Sequence, residues 1–270
     1  MKSESLLLSQ YRRDGAVSPI KALQEHEARR AYEEYLSLCA PGEVVAEGEN
    51  RLFGHLLHGW IAQLVSNGSI LDAVRALIGP NVLAWVSEFN SKAPGTSKFF
   101  SWHQDLYYWR HQYEDPQAIP MVTVWLALSE ANERNGGMRV LPGSHTTLVE
   151  HESRPSQDNL LTRAQSVRVE VDEAKAVHIN LAPGEFSIHH PLIFHASAPN
   201  SGTEPRVGLV IRYMAPEVVP PVRPAYAWLV SGEDRHNNWD HVAPTDPETG
   251  VRLRQMSMES VSRVTGARFK

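Results

Sequence analysis

The chain has 270 residues, of which 42% are hydrophobic, and its formal net charge is −5. This length and composition are enough for a large buried core. The mild acidity, without a basic cluster, argues against a nucleic-acid partner. No apolar run approaches the roughly 18–20 residues that span a bilayer, so no membrane partner is expected. Cys39 is the single cysteine, so the chain cannot form an internal disulfide. Such a chain suits a reducing compartment, and a cytoplasmic location is therefore expected.

Residues 1–80 are predicted to be mostly helical. Ser18-Pro19 is typical of a helix start, and the following segment, IKALQEHEARRAYEEYLSL, carries apolar residues at three- and four-residue intervals. A second helix is predicted from Leu52 to Val65. A third is predicted after Ser69, ending at Gly79-Pro80.

From Asn81 onward, short segments rich in β-branched and aromatic residues alternate with turn sequences. The predicted strands are VLAWVSEF, FFSWHQD, MVTVWLAL, MRVLPG, SVRVEV, AVHINL, EFSIHH and RVGLVIRYM. Such a series favours a β-sandwich or jelly roll. We expect one domain over residues 1–270, with a mostly helical part (1–80), a jelly-roll core (81–216) and a tail (217–270) that wraps the outside of the core.

The segment SWHQDLYYW, residues 101–109, contains a possible pair of metal ligands. If it is a strand, the side chains of His103 and Asp105 point the same way, about 6–7 Å apart. With a second histidine they would form the 2-His-1-carboxylate arrangement that suits iron(II) and oxygen chemistry. The alternative is that both residues lie on the solvated face of an edge strand.

A third ligand would come from residues 187–213, SIHHPLIFHASAPNSGTEPRVGLVIRY. If His195 ends one strand and Arg206 begins the next, the turn between them returns the arginine to the metal. A buried arginine needs an anionic partner, and its guanidinium binds a carboxylate in bidentate fashion. A dicarboxylic cosubstrate that chelates iron at its other end would meet this need. His189 and His190 are expected to be structural or pocket-lining residues.

Four ordered segments resemble the phytanoyl-CoA dioxygenase family: WHQD (102–105), TVWLAL (123–128), NGGMRVLPGSH (135–145) and the block from His195 to Arg206. The resemblance covers roughly residues 50–215. It implies a mainly β protein with flanking helices and a double-stranded β-helix (cupin-like jelly-roll) core. It also implies an oxygenase that uses iron(II), 2-oxoglutarate and O₂.

The resemblance implies that the iron ligands are His103, Asp105 and His195. It places four residues at the 2-oxoglutarate site: Arg206, Ser197, Trp125 and Asn90. Arg206 would bind the distal carboxylate, with Ser197 hydrogen-bonding the same end. Trp125 has an equally simple alternative as a core residue of a barrel strand.

Five further residues are candidates for substrate contacts: Tyr107, Trp109, Arg212, Lys92 and His55. The direction of Tyr107 and Trp109 depends on how far the strand continues beyond the aspartate. Arg212 could instead form a salt bridge on the barrel surface, and His55 could lie on the surface of a helix.

The resemblance implies hydroxylation of an unactivated C–H bond of a small metabolite, with succinate and CO₂ as coproducts. The same cofactors would also serve desaturation, cyclisation or epoxidation. Halogenation is disfavoured because Asp105 occupies the position that halogenases leave open for chloride. A non-catalytic, cupin-like metal-binding protein is the alternative from another class. A small-molecule partner and a monomer or homodimer are expected.

Overall fold

The computed structural model describes residues 4–46, 53–108, 118–154, 156–161, 164–220 and 225–246. The helices are α1 (Glu4–Asp14), α2 (Glu25–Ser37), α3 (Gly54–Leu57), α4 (Gly59–Val65) and α5 (Gly68–Ile78). The strands are β1 (Ala16–Lys21), β2 (Val82–Lys92), β3 (Phe100–His103), β4 (Met121–Ala127), β5 (Met138–Val140), β6 (His151–Ser153), β7 (Gln165–Val167), β8 (Val177–His178), β9 (Glu185–His189), β10 (His195–Ser197), β11 (Arg206–Met214), β12 (Tyr226–Ser231) and β13 (Asp240–His241).

Two sheets face each other. The larger has the strand order β1-β9-β4-β11-β2-β12-β13, and the smaller has the order β3-β10-β5-β8. Strands β6 and β7 form a separate antiparallel pair. Strands that are distant in the sequence pair within each sheet, as a jelly roll requires. The predicted mainly β fold with flanking helices is therefore confirmed.

Alternation along β11 separates the main hydrophobic core from the functional face. Alternate residues of this strand join a core that also contains residues of α1, α2, α4 and α5: Val207, Leu209 and Ile211. Because strand side chains alternate between the two faces of a sheet, the residues between them face the smaller sheet. Arg206 and Arg212 belong to this second set.

The predicted helix start at Ser18-Pro19 is wrong. Both residues lie in β1, an edge strand of the larger sheet, where a proline is tolerated because no neighbour requires its missing N–H. Helix α2 begins at Glu25, and the N–H of Gln24 donates to the Glu27 carboxylate (2.7 Å). Proline at a helix start and proline in an edge strand give the same local sequence signal.

The second predicted helix is divided into α3 and α4, because His58 between them has an extended backbone. Leu52, its predicted first residue, lies outside the described residues. The third helix is confirmed as α5, where the Asn67 side chain accepts hydrogen bonds from the N–H groups of Ser69 (3.0 Å) and Ile70 (3.3 Å). No single described helix is long and apolar enough to cross a membrane, although α4 and α5, bent by 47°, meet that test as a pair.

The predicted wrapping tail contributes instead to the sheet. Strand β12 pairs antiparallel with β2 and continues the larger sheet, and β13 pairs with β12. Trp239 packs against Trp85, with ring centroids 5.7 Å apart. Residues 247–270 of the predicted tail lie outside the described residues.

Candidate metal centre and cosubstrate site

Three buried side chains converge between the two sheets. His103 is the last residue of β3, Asp105 is the first residue of a 3₁₀ turn, and His195 is the first residue of β10. The two histidines are paired across β3 and β10, and their ring centroids are 4.0 Å apart. Asp105 Oδ1 lies 3.9 Å from His103 Nε2 and 3.8 Å from His195 Nε2. Their ligand atoms all lie within 4.8 Å of one another, so a single metal ion could bind all three.

The local geometry predicted for these ligands is wrong. Strand β3 ends at His103, so regular alternation along a strand does not bring Asp105 to the same face. His195 begins a strand rather than ending one. The chain turns after His103 because Gln104 is anchored outside the sheet, where its N–H donates to His151 Nε2 (3.0 Å). Cross-strand pairing and this turn together assemble the site.

Backbone carbonyls determine the tautomers of both histidines. His103 Nδ1 lies 2.8 Å from the carbonyl of Ser101, and His195 Nδ1 lies 3.1 Å from the carbonyl of Ile193. A carbonyl only accepts, so Nδ1 carries the hydrogen and Nε2 presents its lone pair towards Asp105. Metal-binding histidines usually have such a partner.

The protonation states of this cluster also suit a metal ion. Burial, together with repulsion from His195, lowers the pKa of His103 well below its ordinary value. Burial by itself raises the pKa of Asp105, but attraction by the Arg212 guanidinium outweighs it, so the net pKa is lowered. Neutral imidazoles and an ionised carboxylate are the forms that bind metal. The residues therefore fit a divalent ion such as iron(II).

Thr123 and Arg212 hold the carboxylate of Asp105. The Thr123 hydroxyl donates to Asp105 Oδ2 (3.0 Å), and Arg212 Nη2 lies 3.5 Å from Oδ1. Arg212 also lies 3.7 Å from Glu88. Arg212 therefore forms a salt bridge, as one alternative predicted, but its side chain is only 16% exposed, so the predicted location on the barrel surface is wrong. Thr123 was not predicted as a site residue. The available signal was its position two residues before Trp125, because residues at that spacing on a strand share a face.

A cationic cluster lies on the same face of the larger sheet. Arg206 on β11 pairs with Lys92 on β2, and Asn90 Oδ1 accepts a hydrogen bond from Arg206 Nη2 (2.6 Å). Lys92 Nζ donates to Ser197 Oγ (2.6 Å) and also to the carbonyl of Ala198. The structure thus brings together Arg206, Asn90 and Ser197, which were predicted at the cosubstrate site, and adds Lys92.

Neither cation of this cluster forms an ion pair with an acidic group of the described residues. Burial lowers the pKa of Arg206 to about 9. Burial and repulsion from Arg206 lower the pKa of Lys92 to about 6. Burial thus disfavours the positive charge on both groups, and an anion placed beside them would favour it again. The cluster therefore suits the carboxylate of a small anion.

Trp125 forms one wall beside this cluster. Its ring centroid lies 5.4 Å from the Arg206 guanidinium carbon. The indole lies directly over Gly208, where an added Cβ would come within 2.1 Å of the ring. Gly208 is therefore a further residue of the site, because only glycine leaves space for the tryptophan in this position.

The other predicted substrate contacts are placed differently. Tyr107 is buried and stacks on His151 (3.9 Å between ring centroids), and its hydroxyl donates to Glu150 (3.1 Å). His55 is fully buried, so its alternative as a surface residue is wrong. Its Nδ1 lies 2.8 Å from Ser87 Oγ, on the face of β2 opposite the site. Trp109 lies outside the described residues.

A jelly roll with two histidines and one carboxylate beside a buried arginine is the arrangement of the non-haem iron oxygenases. The family model of phytanoyl-CoA dioxygenase (PhyH) matches residues 12–208. The chain belongs to this family.

Named relatives and solved structures agree with this family assignment. The chain is 32% identical to a probable alpha-ketoglutarate-dependent hypophosphite dioxygenase of Stutzerimonas stutzeri over 62% of this chain and 57% of that protein. It is 26% identical to L-proline trans-4-hydroxylase of Streptomyces griseoviridis, over 80% of this chain and 89% of the relative.

Among solved structures, the non-heme monooxygenase ThoJ has a TM-score of 0.79 and 29% identity, covering 96% of this chain and 95% of its own. CytC3 with Fe(II) and alpha-ketoglutarate has a TM-score of 0.63 and 26% identity, covering 86% of this chain and 89% of its own. These findings confirm the predicted family, enzyme class and cofactors. The chain spans only 57% of the length of the hypophosphite relative.

Proposed function

We propose that this protein hydroxylates an unactivated C–H bond of a small polar molecule, with 2-oxoglutarate converted to succinate and CO₂. The observation that supports it most directly is the buried set His103, Asp105 and His195, faced across the two sheets by the buried cluster of Arg206 and Lys92. A non-catalytic metal-binding protein has no need of a second, anion-binding cluster.

Each residue has a distinct task in this proposal. Bound iron(II) supplies the activation of O₂ that is coupled to decarboxylation of 2-oxoglutarate. Arg206, oriented by Asn90, binds the distal carboxylate of 2-oxoglutarate. Thr123 holds Asp105 Oδ2, so that Oδ1 remains directed towards both histidines. The burial of these groups excludes water and strengthens their electrostatic interactions.

Three of the matched relatives support a small substrate. Their names specify hypophosphite, L-proline and ectoine as the molecules on which those proteins act. Asp105 supports hydroxylation over halogenation, because the carboxylate occupies the position at which a halogenase binds chloride. Product mass separates hydroxylation, which adds one oxygen atom, from desaturation, which removes two hydrogens.

The proposal is tested by anaerobic reconstitution with iron(II) and 2-oxoglutarate, followed by exposure to O₂. We expect a visible charge-transfer band, succinate formation, and an oxygenated product when metabolite pools are screened by mass spectrometry. His103→Ala and Asp105→Ala should abolish the band and the succinate. The control His178→Ala changes a histidine whose ring lies 3.6 Å from Glu133 at the sheet edge, and should retain both. Succinate formation that persists in the ligand variants would refute the proposal.

A further inference from the structure

Ser187 and His189 are two buried polar residues of β9 that the metal centre does not use. Ser187 is 0% exposed and His189 is 2% exposed. Among the described residues, Ser187 Oγ and both ring nitrogens of His189 have no hydrogen-bond partner. Buried polar groups in folded proteins nearly always have partners, so these three atoms point to a bound molecule.

Both side chains face the metal centre. Strand β9 pairs with β4 so that His189 is opposite Thr123 and Ser187 is opposite Trp125. Residues directly opposite each other in a sheet point to the same face. Thr123 donates to Asp105, and the ring of His189 lies 5.0 Å from that of His195.

The two residues lie on a different side of the centre from the cationic cluster. Strands β9 and β11 flank β4 on opposite sides. Arg206 lies on β11, and Lys92 lies beyond it on β2. A dicarboxylate that extends from the metal to Arg206 follows the β11 side. The β9 side therefore remains for the second reactant.

The chemistry of the pair defines what it can bind. Both ring nitrogens of His189 are buried without a partner, so each can bind an atom of a ligand. A neutral imidazole donates through one nitrogen and accepts through the other, and a serine hydroxyl does both. A carboxylate would leave the accepting nitrogen unsatisfied, and an ammonium would leave the donor unsatisfied. An uncharged group with a donor and an acceptor satisfies the pair.

We propose that Ser187 and His189 form a subsite for an uncharged hydroxyl or amide group of the molecule that is oxidised. The subsite would hold that group beside the metal and so select the C–H bond presented to it. This inference rests on the proposed function and names the substrate chemistry for it.

The test uses matched pairs of probes, N-acetyl amino acid amides and the corresponding methyl esters, which lack the amide donor. Binding is measured anaerobically from the perturbation of the charge-transfer band of the iron(II)–2-oxoglutarate complex. We expect the wild type to bind the best amide about tenfold more tightly than its ester, the value of one hydrogen bond to a buried neutral group. His189→Leu and Ser187→Ala should reduce this ratio towards one.

His189→Gln, which keeps a donor and an acceptor, should retain part of the preference even if the leucine variant folds poorly. The control His178→Gln should match the wild type. Absence of any amide preference in the wild type would overturn the inference, as would an unchanged preference in both His189→Leu and Ser187→Ala. A wild type that shows no charge-transfer band would instead contradict the proposed function itself.

Discussion

Asp105 carries the negative charge of the metal centre, and its orientation depends on a residue that is not a ligand. Thr123 holds Oδ2 through a hydrogen bond of 3.0 Å. Residues that orient metal ligands in this way typically contribute 10–100-fold to metal affinity.

Thr123→Val keeps the size of the side chain but removes the donor. We expect the dissociation constant of iron(II) to rise by about 10–100-fold, measured by anaerobic titration. Thr203→Val, at an exposed position of the turn before β11, is the control and should leave the affinity unchanged. An unaltered affinity in Thr123→Val would show that Asp105 needs no such support.

Lys92 is expected to act on 2-oxoglutarate through Ser197. Because Lys92 Nζ donates to Ser197 Oγ (2.6 Å), the hydroxyl hydrogen of Ser197 must point elsewhere. Lys92→Met should weaken 2-oxoglutarate binding about tenfold, and this effect should shrink when it is combined with Ser197→Ala. Binding is measured anaerobically from the charge-transfer band. Fully additive effects of the two substitutions would mean that Lys92 contacts the cosubstrate directly.

At the scale of elements, the contact between β4 and β11 determines the shape of the site. Trp125 covers Gly208, and a Cβ at that position would lie within 2.1 Å of the indole. The position of the β11 backbone and the position of the Trp125 ring therefore constrain each other.

Gly208→Ala should displace the Trp125 ring, destabilise the protein by about 1–3 kcal/mol and weaken 2-oxoglutarate binding. Denaturant unfolding and the charge-transfer titration measure the two effects. Gly68→Ala is the matched control, because an added Cβ there meets nothing within 4 Å and the residue begins α5. It should be neutral or slightly stabilising. A Gly208→Ala protein of unchanged stability would contradict the described packing.

Element boundaries were predicted less well than element types. The segment around His103 was correctly predicted as a strand, but β3 ends at His103 and not at Asp105. Strand β10, which carries His195, was considered only as a strand that ends at His195, whereas it begins there. The ligands were still identified, because the resemblance depends on their order and spacing rather than on their local conformation.

At the scale of the whole molecule, metal binding should be linked to stability. The two histidines come from separate strands of one sheet and Asp105 from the turn after β3, so the three form a site only in the folded chain. At 100 times its dissociation constant, iron(II) should stabilise the fold by about 2.7 kcal/mol and raise the anaerobic unfolding midpoint by several degrees. Asp105→Ala should lose this shift. An equal shift in that variant would place the metal elsewhere.

Residue patterns in the sequence predicted the mainly β class, and the family resemblance implied His103, Asp105 and His195 as iron ligands and Arg206 as the cosubstrate arginine. Alternation, turn residues and motif order are local properties, so they can be read without coordinates. Strand pairing in the folded chain places Thr123, Arg212 and Lys92 beside these groups. It also places His55 behind the sheet and turns Ser187 and His189 towards the candidate metal centre. These relationships arise from strand pairing across long sequence separations, which no local pattern specifies.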